Sequence, residues 1–406
     1  MRAHRDCQCG GGLFAALLVL GAVGATATPL AADPTRLNFA APFGGASADY
    51  ASRLAEYRAA RQAFDETATA YWDAIADKRR GRNAKRRNNE EVVLEDYVLT
   101  QPPTYSGPPA PVDPSAPVGS RPQPRKKKYV PVAADFLKYA AEHFHFTPRR
   151  PRHEGHFKQA YSATAAAAGL THDQVVRIYA FESGGNGRYD IQAGLERNRP
   201  GAHAIYTAFG YNQLVGAASI GLLAEKGERF IEVLRAKAAG LVGVARASLG
   251  LRIAALRHMI AFTRTVPDQW REHEQLADTP QGIAIHAVLL DVDIGPLLQT
   301  QKLIDSIEYA RRQGIDRALT AVELQMMNLT GDGNGLDIVR MSTELRARVP
   351  TANFFVRAGY ERNVVAIRNN ILSRLMAVIE AKMDADARLQ GARDMAAAYR
   401  GLSRSD

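Results

Sequence analysis

Cysteine is almost missing from this chain of 406 residues: there are two, Cys7 and Cys9, and none after them. A disulfide framework, a thiol nucleophile and a Cys-based metal site are therefore excluded beyond residue 9. Acidic residues fall short of basic ones, 42 against 52, which leaves a formal charge of +10. A basic chain favours acidic partners; nucleic acid, anionic lipid and anionic cell-wall polymer all qualify, and charge alone does not choose among them. Beyond the first thirty or so residues, no run is long and apolar enough to span a bilayer. Strand-like alternation is scarce and no internal repeat is visible. A Gly-rich phosphate loop followed by Lys and a Ser nucleophile elbow are both missing, which argues against nucleotide and serine-hydrolase chemistry.

What is present begins with a compartment signal. A basic start, "MRAHRD", precedes the apolar run "LFAALLVLGAVGATA" at 13–27, and small residues follow. This layout predicts a secretory signal peptide over 1–32, cleaved after Ala27 or a few residues later. At about 1.5 Å per residue the run is short for a transmembrane helix, and an uncleaved anchor is the alternative. Cleavage would remove both cysteines. The expectation is a bacterial protein in the periplasm or secreted, without stable membrane insertion, and export argues against a nucleic-acid partner.

Three segments are expected after the leader. Residues 33–100 form a helical and basic region. Within it Leu54, Tyr57, Phe64, Ala68, Tyr71 and Ile75 make an apolar stripe over 48–78, interrupted by Arg61. The stripe predicts intramolecular docking or weak self-association rather than a true coiled coil, since the heptads are few. The block "KRRGRNAKRR" at 78–87 reads as a solvated, disordered charge run, or as attachment to an anionic surface. Residues 101–130 are a Pro-rich basic linker: 101–124 hold nine of the twenty prolines and cannot build a core. The linker would reach across the periplasm or recruit envelope or secretion-apparatus proteins.

From 131 to 400 the pattern is helical, with helices expected near 172–183, 214–226, 228–264, 281–290, 297–313, 318–328, 337–348 and 361–397. The fold class expected is all-α. "HAVLLDVDI" at 286–294 is the best strand candidate.

One helix carries the candidate chemistry. Thr171 and Gln174 have capping-box spacing, and Gly184 and Gly185 supply a stop. Val175, Ile178, Tyr179 and Glu182 share the apolar face between them. A carboxyl on that face loses water, which raises its pKa, and a glutamic acid protonated near neutrality can donate to a leaving group. The glycines after it would let backbone approach a ligand. Taken alone, Glu182 could equally turn to solvent or pair with an arginine.

The motifs around it resemble the SLT-type lytic transglycosylases of the lysozyme-like superfamily. "FESGG" (181–185) matches that family's Glu-Ser at a helix end. "AFGYNQLVGAASIG" (208–221) is similar to its second motif, with Gly210, Tyr211, Asn212 and Gln213 in the four positions. "LQMMNLTGDGNG" (324–335) is similar to its third, with Met327 and Asn328 in place of Tyr-Asn. The likeness covers roughly 165–335. It implies a lysozyme-like domain with a C-terminal helical extension, acting on peptidoglycan strands. Glu182 would cleave the β-1,4 bond from N-acetylmuramic acid to N-acetylglucosamine as acid and then base, leaving 1,6-anhydro ends, without cofactor or metal. Ser183, Tyr211, Asn212, Gln213 and Asn328 would bind the sugar or the glutamate. A hydrolytic muramidase of the same fold and a non-catalytic wall-binding protein are the alternatives. Two departures stand out: a longer spacer between the first two motifs, and Met327 where the family places an aromatic residue that orients the glutamate. Tyr211, Tyr206 and Tyr360 are the candidates to replace it.

Other candidates carry less. Asn328, Thr330, Asp332 and Asn334 have calcium-loop-like spacing, but Val339 stands where a bidentate Glu is needed, so 328–337 reads as a polar Gly-rich loop. His143, His145, His153 and His156 lie near Glu154 in a Pro-interrupted stretch and read as surface histidines. Phe354, Phe355 and Tyr360 read as core packing.

Overall fold

The computed structural model describes residues 43–114, 129–195 and 202–402. The expected leader, residues 115–128 and part of the spacer after the first motif lie outside them. The chain divides into two compact units, which meet in sequence between Lys128 and Tyr129.

The N-terminal unit is one long helix with a return strap. Helix α1 runs Phe43–Arg87, 45 residues, or about 67 Å at 1.5 Å per residue. Beyond it the chain reverses at Asn89, whose φ is +55°, passes a short 3-10 turn at Leu94–Asp96 and runs back extended. The strap covers the apolar stripe. Tyr71 donates its hydroxyl to Thr100 O at 3.0 Å, and Tyr105 sets its ring edge-on to Phe64 at 5.5 Å. Arg61, the charged interruption, stacks over both Phe64 and Tyr105, so its charge faces π-electrons. The stripe is therefore docked intramolecularly, on the chain's own strap.

Two expectations are corrected here. The basic block 78–87 is not a disordered run but the last turns of α1. Arg82 is fully buried; it lies 4.5 Å over the Tyr97 ring and donates to Asp96 O, while Lys85 pairs with Asp96 at 2.7 Å. The described part of the Pro-rich segment is extended, as proline requires, yet Tyr105 holds it on α1 instead of leaving it a free spacer.

The second unit is all-α. Its helices are α2 (Ala133–Phe144), α3 (Glu154–Ala167), α4 (His172–Ser183), α5 (Gly216–Ala239), α6 (Gly243–Thr263), α7 (Trp270–Ala277), α8 (Pro280–Ile285), α9 (Gly295–Arg312), α10 (Ala321–Thr330), α11 (Asp332–Arg340), α12 (Thr343–Arg346), α13 (Arg357–Arg362), α14 (Val364–Arg368), α15 (Leu372–Ala387) and α16 (Gln390–Leu402). Isolated bridges such as Gln192 with Phe209 are present, but no strand forms among the described residues. No single described helix is long and apolar enough to cross a membrane.

Helix α9 is largely buried and packs on α3, α5, α10 and α11. Around α4 lie α10, α15 and α16. The strand candidate 286–294 is instead a buried 3-10 turn, His286–Leu290, leading into α9. The reason is Asp291: its Oδ1 accepts from the backbone N–H of Asp293 at 2.8 Å and of Ile294 at 3.1 Å, which turns the chain into a helix start. The helix break expected near 227 is also misplaced. At Gly227, inside α5, a Cβ would lie 2.5 Å from Ile260 Cγ1; the glycine lets α6 pack close, and the reversal falls at 240–242.

The same region holds a buried ion network. Arg252 of α6 donates to Asp291 (2.7 and 2.9 Å) and to Asp293 (2.8 Å). Arg149 adds its guanidinium to Asp293 and its backbone N–H to Asp291, and Lys237 of α5 reaches Asp293 at 2.7 Å. Burial alone would push the Asp293 carboxyl up, but its cationic partners hold it well below the usual range. Burial dominates at Asp291, whose carboxyl is shifted upward.

Candidate active site around Glu182

Helix α4 starts as its sequence dictates. Thr171 Oγ1 accepts from Gln174 N–H at 3.2 Å, and Gln174 Oε1 accepts from Thr171 N–H at 2.9 Å. The Gln174 amide also donates to Leu319 O at 2.8 Å, fastening this end of α4 to the entry of α10. At the other end Gly184 and Gly185 take φ of +62° and +70°, conformations that favour glycine. Nothing stands within 4 Å of where a Cβ on Gly184 would lie, whereas Gly185 is closely packed. A Cβ on Gly185 would stand 2.3 Å from Asp386 O, and one on Gly391 would stand 2.7 Å from Gly185 O. Gly185 presses the end of α4 onto the turn between α15 and α16.

Glu182 sits one residue before the end of that helix, half-buried beside fully buried Tyr179. Gln325 Nε2 donates to its Oε1 at 2.7 Å, and Asn328 Nδ2 points to the same oxygen at 3.4 Å. Both come from one face of α10, three residues apart. Desolvation raises the Glu182 pKa; the two amides and the Lys382 charge on α15 pull it back only in part, so it settles at about 7. Lys382 is meanwhile paired with Asp386 and lies 5.9 Å from the Phe181 ring centre. The result is a carboxyl poised between its two forms near neutral pH, with amide donors on one oxygen.

Gln325 is the Glu182 partner that the sequence reading missed. Met327 is fully buried, and Gly335 of α11 lies so close that a Cβ there would stand 2.5 Å from Met327 Cγ. Met327 thus serves α10–α11 packing, while Gln325 and Asn328 hold the carboxylate. Tyr211, Tyr206 and Tyr360 do not take the role. Tyr211 donates its hydroxyl to Glu154, Tyr206 is exposed, and Tyr360 packs beside Phe355.

The other expected binding residues are placed as supports. Ser183 is buried and donates to Tyr179 O at 2.6 Å. Tyr211 is fully buried among Phe157, Tyr161 and Tyr179. Asn212 is buried, accepts from Tyr161 Oη at 3.0 Å and bonds Gln299. The polar groups of Ser183, Tyr211 and Asn212 each have an internal partner. Gln213 is half-exposed with φ of +47°, and its amide donates to Gly210 O at 2.8 Å. Burial raises the Tyr161 hydroxyl pKa, and the Glu182 charge adds to it. The second motif thus packs on Tyr161 and on Tyr179, the latter from the helix that carries Glu182.

The calcium-like spacing dissolves in three dimensions. Asn328 belongs to α10, Asp332 accepts from Ser306 at 2.6 Å, and Asn334 donates to Thr330 O and Phe354 O. Residues 328–337 are two helices broken at Gly331, not a loop. Glu154 faces inward onto Tyr189 N–H and Tyr211. Among the described residues no cluster of three or more His, Cys, Asp or Glu is placed to hold a metal. A concavity of about 720 Å³ in the N-terminal unit is lined by α1 residues alone and gathers no catalytic set.

Compared with known proteins, the chain matches no family model, no curated protein and no solved structure.

Proposed function

We propose that this chain is a peptidoglycan lytic transglycosylase of lysozyme-like fold, with Glu182 as its single general acid and base. The observation that carries the reading is the Glu182 carboxyl: raised to about 7, half-buried, and bonded by amides rather than by arginine. Among the described residues, the groups that act on its titration are Gln325, Asn328 and Lys382, none of them a carboxylate. That favours a substrate-assisted route over a two-carboxylate glycosidase. Glu182 gives its proton to the glycosidic oxygen as the bond from the muramic-acid C1 breaks. The sugar's own N-acetyl oxygen stabilises C1. The C6 hydroxyl then attacks C1, its proton returns to Glu182, and a 1,6-anhydro end results. Gln325 and Asn328 stabilise the carboxylate between the two transfers. Ser183, Asn212 and the tyrosines hold the site's shape, and Gln213 remains a candidate sugar contact.

The leader-like N-terminus and the charge of +10 support an exported protein working on an anionic wall in the periplasm. Mass analysis of sacculi digested by the purified protein tests the reading. Muropeptides ending in 1,6-anhydro-muramic acid are expected. Reducing muramic ends alone would make the protein a hydrolytic muramidase, and no release at all would leave a wall-binding role.

A further inference from the structure

The region farthest in character from the Glu182 site is the hairpin of α5 and α6. Residues 233–267 contain no Asp or Glu, but they do contain Arg235, Lys237, Arg246, Arg252, Arg257 and Arg264. The two helices run antiparallel: Arg264 donates to Ala224 O, and Gly227 meets Ile260. The apex therefore falls at 240–243. At and beyond it the aliphatic residues stand in solvent, Val242 83% exposed, Val244 87% and Leu251 74%. Val244, Ala247, Leu251 and Ala254 are all exposed at positions that share one face of α6. A soluble surface seldom leaves such aliphatics together and uncovered.

Two features point to what covers them. Lys237 and Arg252 are spent inward on Asp291 and Asp293, which fastens the hairpin below its tip. Arg235 and Arg246 form no ion pair among the described residues and flank the apex as exposed charges. An exposed aliphatic tip flanked by two arginines that form no ion pair among the described residues, in a stretch without one acidic residue, is complementary to an anionic lipid surface. Aliphatic side chains enter the headgroup–acyl boundary while arginines meet phosphates. A glycan strand would gain little from bare valines.

We propose that the α5–α6 hairpin tip docks this protein on an anionic membrane surface, with Val242 and Val244 inserted and Arg235 and Arg246 on the lipid phosphates. The contact is interfacial and independent of the chemistry at Glu182. Flotation of the full chain with phosphatidylglycerol-containing vesicles and with pure phosphatidylcholine vesicles tests it, alongside the double variant Val242→Asp/Val244→Asp. The parent should bind the anionic vesicles, and the double variant should lose about tenfold or more in affinity with an unchanged far-UV circular dichroism spectrum. Arg235→Glu/Arg246→Glu should lose a comparable factor and remove the salt dependence. A Val242→Trp reporter should shift its emission to the blue with anionic vesicles and be quenched by brominated acyl chains. The proposal is overturned if the parent does not float. It is equally overturned if the double variant floats as well as the parent, which would place the contact elsewhere in the chain. A reporter that responds to sacculi or to a protein partner but not to vesicles overturns it too.

Discussion

Glu182→Gln is expected to lower the rate of sacculus digestion by about a hundred- to ten-thousand-fold, the range that a positioned general acid contributes. Glutamine keeps the size and the amide contacts that Gln325 and Asn328 offer, but it has no proton to give. The same substitution should raise stability, and the sign follows from linkage. The folded pKa of Glu182, about 7, lies above the ordinary 4.5. The unfolded chain therefore ionises first as pH rises, and folding is penalised increasingly between those two values and fully above them. Below pH of about 4.5 both states are protonated and the penalty vanishes. The variant should accordingly melt higher than the parent above neutrality and alike in acid. A variant that lost activity through misfolding would melt lower at every pH. Parent activity should decline as pH rises through about 7, since the donor form is then lost.

Arg252→Ala should cost about 3–5 kcal/mol of unfolding free energy, the usual consequence of breaking a buried ion pair from one side. The arginine bonds two aspartates whose side chains are 0% and 2% exposed. Arg149 and Lys237 still serve Asp293 after the change. Asp291 keeps only backbone donors, so its charge is left nearly bare. Urea titration checks this against Arg264→Ala, whose pair with Glu228 is exposed at 43% and 63% and should contribute less than about 1 kcal/mol. Equal losses in the two variants would show the network to be no stronger than a surface pair.

The features legible in the sequence were those fixed within a few residues. The capping box at Thr171, the glycine stop after Ser183 and the inward face holding Glu182 all depend on local spacing, and each is present as read. The misreadings came from contacts that spacing does not encode. The block at 78–87 looked disordered because its charges are dense, yet Tyr97 and Asp96 return to meet Arg82 and Lys85. The segment 286–294 reads like a strand because its apolar residues end in an alternation with Asp291 and Asp293, but the Asp291 side chain turns it. Gly227 looked like a break because the approach of Ile260 is invisible in one dimension. At the site, Gln325 lies 143 positions from Glu182, and a buried glutamine inside a helix carries no signal of its own. The resemblance points to Met327, whereas the amides that bond Glu182 lie two residues before it and one after. Tyr211 of the second motif is legible as a residue type, but not its place in a buried cluster with Tyr161 and Tyr179.

The titration of the Glu182 carboxyl tests the site most directly. Side-chain carboxyl carbon shifts of glutamate-labelled protein, followed from about pH 4 to about pH 9 and assigned by comparison with Glu182→Gln, read it without any substrate. A midpoint near 7 is the predicted result. A midpoint at the ordinary 4.5 would mean that Glu182 is ionised at neutral pH, and it would contradict a general acid at the end of α4.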